Sequence, residues 1–459
     1  MKQSFVFYDT ETTGLNPVYD QILQFAAIHT DSSLNIIDRI DIRCRRRPHI
    51  VPSPAAMLIT RCTPTQLEEQ DLSHFEMTRK IAAWIKKRTP SIWIGHNSIR
   101  FDEEFLRQTF YQNVMYPYLT QRNGNLRSDT MILAQALAHY RPTAIEIPEI
   151  GGRYKFQLGL LAEANSIASN IHDLHNARAD VEVTLTLAAF IKRANRRLWD
   201  EMIQNANPQK VEQILETPSL VHVSGFAMGR PYSYPAVGVL QNPHNRNEYA
   251  LANLMAPLSD DKKRKHPLCL ISSKRARLIK ANKLPILFRS AQSQLINTPN
   301  ISKSLLNEYH SHYKQIDNAQ NMLSYFDEKK EKWSLRENVE ENIHHAMPLD
   351  SDINKMQQFE HLDWSERAEL IDTFDDERLS ELAQRLVCEH APNFVPRYRL
   401  QRYRKWVADV LGGSTGSDRR SVKSALDELD DLRETHPDRL SEIKNIRQYL
   451  SHLATSTAR

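Results

Sequence analysis

Along the first 195 residues the apolar positions follow two alternating periods. Compact apolar runs at Phe5–Tyr8, Ile22–His29 and Ile92–Ile94 predict strands. Helical spacing over Phe75–Lys87, Glu103–Tyr111, Asp129–His139 and Val181–Ile191 predicts helices between and after them. Alternation of this kind predicts an α/β domain over residues 1–195. From about Pro218 to Arg289 the texture changes to short apolar pieces cut by Pro, Gly and Asn. A small β-rich unit with a helical extension is expected there, within a second domain spanning 196–350. Asp327–Asn342 is dense in alternating charge and reads as an exposed helix or linker. Beyond Gln358 the period is purely helical, so residues 351–459 are expected to form an all-α domain. Asp363 can cap a helix with Glu366 three residues on, and Leu379, Leu382 and Leu386 share one face, as do Val422, Leu426 and Leu429. The Gly412–Ser417 run separates two of these helices.

A length of 459 residues exceeds one ordinary core, in line with this division into three. The composition, 41% hydrophobic and 25% charged, is that of a globular protein. No apolar run approaches the roughly 18 residues that a membrane span needs. The N-terminus lacks the apolar core and cleavage site of a signal peptide, so the cytoplasm is the expected compartment. Cys44, Cys62, Cys269 and Cys388 show no CxxC spacing, which argues against a zinc site or a disulfide framework. A net charge of +4 is too mild to identify a polyanionic partner, but its distribution is uneven. Basic residues cluster at Arg43, Arg45, Arg46 and Arg47, at Lys262 to Lys265, and at Lys274, Arg275, Arg277 and Lys280. Each cluster can neutralise phosphates, although a basic run is more often a solvated face.

The candidate chemistry begins in the first strand. Asp9 and Glu11 are two apart, so a strand projects both to one side. Two adjacent carboxylates repel and raise each other's pKa, and a divalent cation such as Mg²⁺ or Mn²⁺ relieves that penalty. Alone, D-x-E is a common polar strand end. Two further features accompany it. An apolar strand ends at Gly95-His96-Asn97, and Asp102 opens the following helix, where its bland reading is an N-cap. Later, His175 and Asp180 stand five apart ahead of an apolar helix.

Taken together, D-x-E, H-N-x-x-x-F-D and H-x-x-x-x-D in this order resemble the DEDD exonuclease superfamily in its histidine-bearing branch. Asp9, Glu11, Asp102 and Asp180 match the four acidic positions, and His175 matches the histidine. Val221–Gly225, Asn242–Asn247, Asn282–Pro285 and the Asn393–Trp406 stretch are similar to landmarks of the bacterial exodeoxyribonuclease I family. That resemblance implies an RNase H-like nuclease domain, an SH3-like β-barrel and a helical C-terminal domain that curl around single-stranded DNA. It implies digestion from the 3′ end to nucleoside 5′-monophosphates, in DNA repair and recombination, with two metal ions roughly 3.5–4 Å apart. Asp9 would bridge the ions, Asp180 complete one, Glu11 also meet the terminal 3′ hydroxyl, and Asp102 act through water. His175 would take the proton of the attacking water. Among Phe101, Arg107, Tyr111, Tyr116 and Tyr118, rings can stack on bases and Arg107 can meet phosphate, with Phe101 expected in the core.

Two departures from the family pattern stand out. Gln157 occupies a position where the family often carries a basic residue. The family also binds the acidic tail of single-stranded DNA-binding protein; Arg141 matches a basic residue of that peptide site, while Glu201 replaces an aromatic one. The competing readings are a broader exonuclease of the same superfamily acting on RNA or short oligonucleotides, and a binding module without catalysis. A monomer is expected.

Overall fold

Strand β1 (Phe5–Thr12) is the spine of the first sheet because both its faces are apolar: Phe5 and Phe7 point one way, Val6 and Tyr8 the other. It pairs antiparallel with β2 (Ile22–Thr30), which pairs with β3 (Ile36–Arg43). On its other side it runs parallel to β4 (Ile92–Gly95), which continues to β5 (Leu126–Asp129), for the order β3-β2-β1-β4-β5. The computed structural model describes residues 3–167, 176–216, 220–255, 276–289, 316–329, 335–415 and 418–456, with isolated positions between 304 and 311. All three expected strands are present, and β1 and β2 run further than the apolar run alone indicated.

Helices α1 (Pro54–Thr60), α2 (Pro64–Glu68), α3 (His74–Lys87), α4 (Asp102–Gln112), α5 (Thr130–Tyr140), α6 (Leu158–Ala164), α7 (Ala177–Ala194) and α8 (Arg196–Gln204) follow in the N-terminal half. The Phe5–Phe7 face is covered by α5, α7 and α8, where Val181, Leu187, Ala188 and Ile191 of α7 recur at helical spacing. The Val6–Tyr8 face is covered by α3 and α4, and over them by the C-terminal helices.

After α9 (Pro208–Glu216), strands β6 (Val221–Ala227), β7 (Arg230–Asn242), β8 (Asn245–Asn253), β9 (Ala276–Lys280) and β10 (Leu287–Arg289) form one antiparallel sheet of order β10-β6-β7-β8-β9. Met228 and Gly229, both at positive φ, make the tight β6–β7 turn. The expected β-rich region is therefore present as a five-stranded sheet. Helix α10 (Ile316–Lys329) packs Tyr325 and Phe326 against this sheet at Ala250, and the C-terminal part comprises α11 (Asp350–His361), α12 (Trp364–Leu370), α13 (Glu377–His390), α14 (Arg397–Gly412), α15 (Val422–Thr435) and α16 (Leu440–Ser456). Asp363 and Glu366 form the expected capping box on α12. Among the described residues no helix is long and apolar enough to cross a membrane.

Two expectations fail here. The charged Asp327–Asn342 stretch is not exposed throughout: Val339, Glu340 and Asn342 are buried, because Arg385 and Arg419 pair with the Glu340 carboxylate. The Arg45–Arg47 run is not a free basic face either. Arg47 is 5% exposed and bonds Glu389 at 2.9 Å, Arg46 bonds Glu68 and Tyr449, and Arg45 donates to the carbonyls of Gln70 and Asp71. These arginines join the N-terminal half to its own loops and to the C-terminal helices.

Candidate metal centre

The pairing of β1 with β4 covers only Phe5 to Phe7, so β1 outruns its parallel neighbour by several residues. Asp9 and Glu11 lie on that overhang, paired on the other side with Ala26 and Gln24 of β2. Backbone that β4 no longer satisfies needs another acceptor. Asp102 supplies it: its Oδ1 accepts from the Thr10 amide at 3.0 Å and from Thr10 Oγ1 at 2.7 Å. Asp102 is thus the first residue of α4 rather than its cap, a place taken by Phe101.

Strand alternation sends Asp9 and Glu11 to the face that α7 covers, and Asp180 stands in the first turn of α7. That turn is fixed by Asn176, whose side chain accepts from the Arg178 amide and from Gln24 Nε2 at 3.2 Å. Asp9, Glu11 and Asp180 each offer an oxygen within 4.8 Å of the others. Burial, then the neighbouring Asp102, Asp180 and Glu11, holds the Asp9 carboxyl well above its usual range. Burial, then Asp180 and Asp102, pushes Glu11 up to about 8, with Arg43 pulling the other way. Burial raises Asp102 to about 7 against the lowering bonds from Thr10. Three half-buried carboxylates gathered this closely, two of them with raised pKa, are a donor set that fits a hard divalent cation.

The loop after β4 is built by a residue that the sequence reading used only as a helix start. Asp129 accepts from the Asn97 amide at 2.9 Å, from Ile99 at 3.2 Å and from Met131 at 2.9 Å, which holds Asn97 at φ 62°. His96 lies 2.6 Å from the Phe156 carbonyl through Nε2 and 3.0 Å from Thr130 through Nδ1, and burial lowers it to about 4. It is therefore a neutral strut that ties this loop to the segment ahead of Gln157. Asp20 and the exposed Leu15 were also passed over, though both sit in the turn just beyond Glu11.

The remaining candidates separate. His175, Lys262–Lys265, Lys274 and Arg275 lie outside the described residues. Arg107 bonds Glu104 at 2.6 Å with its guanidinium 5.1 Å from the Tyr118 ring, and Lys283 reaches Glu104 at 3.2 Å. Arg107, Tyr118 and Lys283 therefore cluster along α4, whose first residue is Asp102. Phe101 packs against Phe105 as expected. Tyr111 is buried with its hydroxyl donating to the Val339 carbonyl, so it belongs to the core rather than to a base-stacking surface. Gln157 is exposed at the start of α6. Arg141 is exposed at the end of α5, and Glu201 bonds Arg197 at 2.9 Å.

Residues 6–188 match the family described as Exonuclease, and residues 337–453 match the Exonuclease I C-terminal domain. Exodeoxyribonuclease I of Haemophilus influenzae is 28% identical over 97% of this chain and 98% of its own length. Exodeoxyribonuclease I of Escherichia coli is 33% identical over 56% of this chain and 55% of its own length. A crystal structure of E. coli exonuclease I in complex with a dA16 oligonucleotide superposes with a TM-score of 0.83 at 24% identity, covering 98% of this chain and all of that one. At that identity the superposition establishes the shared fold.

Proposed function

This chain belongs to the bacterial exodeoxyribonuclease I family, and from that premise we propose that it hydrolyses single-stranded DNA from the 3′ end to nucleoside 5′-monophosphates. The observation that carries the reading is the convergence of Asp9, Glu11 and Asp180 from β1 and α7. A pair of divalent cations, Mg²⁺ with Mn²⁺ as its substitute, supplies Lewis-acid activation of water and charge compensation at the scissile phosphate. Asp9 and Asp180 would hold these cations together with Glu11. Glu11 is both a ligand and the acceptor for the terminal 3′ hydroxyl. Asp102, with Oδ1 engaged by Thr10, acts through water. His175 is the proposed base, since an imidazole takes a proton near neutral pH. Arg107, Tyr118 and the Gln157 amide are proposed to meet the strand. Arg277 and Lys280 of β9, with Lys262–Lys265, are proposed to line its path across an SH3-like middle domain.

Repair and recombination in the cytoplasm are the proposed setting, with the chain acting as a monomer. Arg141 is the proposed contact for the tail of single-stranded DNA-binding protein. Because Glu201 and Arg197 form an ion pair in place of an aromatic wall, that contact is expected to rest on charge. The test is a time course on 5′-labelled DNA and RNA homopolymers of equal length, single-stranded and duplex, with and without chelator. Single-stranded DNA is expected to shorten progressively from its 3′ end, and only with metal. Equal digestion of RNA, or release of the labelled end first, would overturn the assignment.

A further inference from the structure

Arg420 stands two residues ahead of α15, in the C-terminal helical part, yet it reaches the turn that follows the metal strand. Its Nη1 donates to Asp20 Oδ1 at 3.1 Å, and its Nε lies 3.4 Å from Glu428 Oε2. Asp20 is the hub of that turn. Its carboxylate accepts from Thr13 Oγ1 and from the Asn16 amide, both at 3.0 Å. Residue 14 must be glycine for this arrangement, because a Cβ there would lie 2.4 Å from Asp20 Oδ2. Thr13 is tied from behind as well, its carbonyl accepting from the Ser53 amide at 2.7 Å. Ser53 Oγ in turn donates to Glu428 at 2.7 Å, which closes a ring through Arg420, Asp20, Thr13, Ser53 and Glu428. Arg419 adds a second grip, with its guanidinium 4.5 Å from the Tyr19 ring.

The ring fixes Thr13 two residues beyond Glu11. Apart from the opposing charge of Arg43, backbone must hold Glu11 against the repulsion of its neighbours until a cation arrives, so a loose turn lets the carboxylate swing away. We infer that Arg420 is a positioning residue for Glu11, acting through Asp20 and the 12–20 turn, so that the C-terminal helices hold one side of the metal site in place. This rests on the metal-dependent nuclease reading above.

The test uses the full chain and two readouts, Mn²⁺ binding by calorimetry without DNA and single-turnover hydrolysis of single-stranded DNA. Arg420→Ala is expected to weaken Mn²⁺ binding about 10-fold and slow turnover by about 10- to 100-fold, the scale of a small misplacement, while DNA affinity holds. Arg420→Lys keeps the charge but not the fork, and is expected to recover part of both. Asp20→Asn should match Arg420→Ala, and the double variant should be no worse than Asp20→Asn alone. Lys86→Ala, which removes the Lys86–Glu360 pair between the same two parts of the chain, serves as the control and should leave both readouts unchanged. If Arg420→Ala fails to fold by circular dichroism, Arg420→Lys and Asp20→Asn carry the test. Metal binding within about two-fold of wild type in all the Arg420 and Asp20 variants, or the same loss in Lys86→Ala, would overturn the proposal. A wild type that binds Mn²⁺ without cutting DNA would refute the nuclease reading and leave the positioning of Glu11 decided by the calorimetry.

Discussion

Two regions of this molecule bury charge, and they do it in opposite ways. At the seam with the C-terminal helices, Arg47 meets Glu389 at 2.9 Å and Glu340 meets Arg385 at 2.8 Å, each carboxylate facing a guanidinium. At the end of β1, Asp9, Glu11 and Asp180 are held against one another. Burial costs a charge several kcal/mol unless a partner compensates it. The seam carries its own compensation, and so the arginines there hold the Glu340 carboxyl below its ordinary value despite burial. The strand end raises its carboxyls instead, as the proposed cation site would before its cation is bound. The pKa directions are thus opposite: the more deeply buried Glu340 is lowered by its arginines, while the half-buried carboxylates of the strand end are raised.

The largest effect that can break this comparison is on catalysis. Asp180→Asn or Asp9→Asn should reduce single-turnover hydrolysis by orders of magnitude, with single-stranded DNA affinity by fluorescence anisotropy nearly unchanged. Retention of more than about a tenth of the activity would remove those residues from the ligand set. At the seam, Glu389→Ala strands a buried guanidinium and should lower unfolding free energy by about 3–5 kcal/mol in a urea titration. A smaller and oppositely signed effect is expected for Glu11→Gln in chelator. The folded chain raises Glu11 from 4.5 to about 8, so it binds that proton more tightly than the unfolded chain does. Wild-type stability without metal should therefore fall as pH rises through that window. Glu11→Gln should fall less and melt higher at about pH 8, by roughly 1 °C per kcal/mol for a chain of this length. Equal slopes for the two proteins would show that Glu11 carries no such strain. Least of all, Glu182→Ala removes an exposed pair with Arg39 and should cost under about 1 kcal/mol by the same titration.

The chemistry was more legible in the sequence than the assembly. D-x-E announces itself because strand alternation turns a spacing of two into a shared face, and Asp9 and Glu11 do share one. The order of motifs also marked Asp102 and Asp180, which helices α4 and α7 bring to the same strand. Strand β3 was not foreseen, since Ile36–Arg43 mixes charge with apolar residues as an exposed edge does. Strand β5, only four residues long and ending on a cap, carries too little pattern to register. Arg46 and Arg47 misled because local spacing cannot disclose a partner such as Glu389, 342 residues away. Glu340 read as solvent-facing for the same reason, its arginines lying in α13 and ahead of α15.

The claim that the strand end is an incomplete charge arrangement is tested most directly by titrating Mn²⁺ into the full chain at about pH 7, in buffers of differing ionisation enthalpy. Because Glu11 titrates near 8 in the metal-free fold, binding should expel protons. Affinity should climb as pH rises from about 6 to about 8, and both effects should shrink in Glu11→Gln. Binding that releases no proton and keeps one affinity across that range would contradict the account.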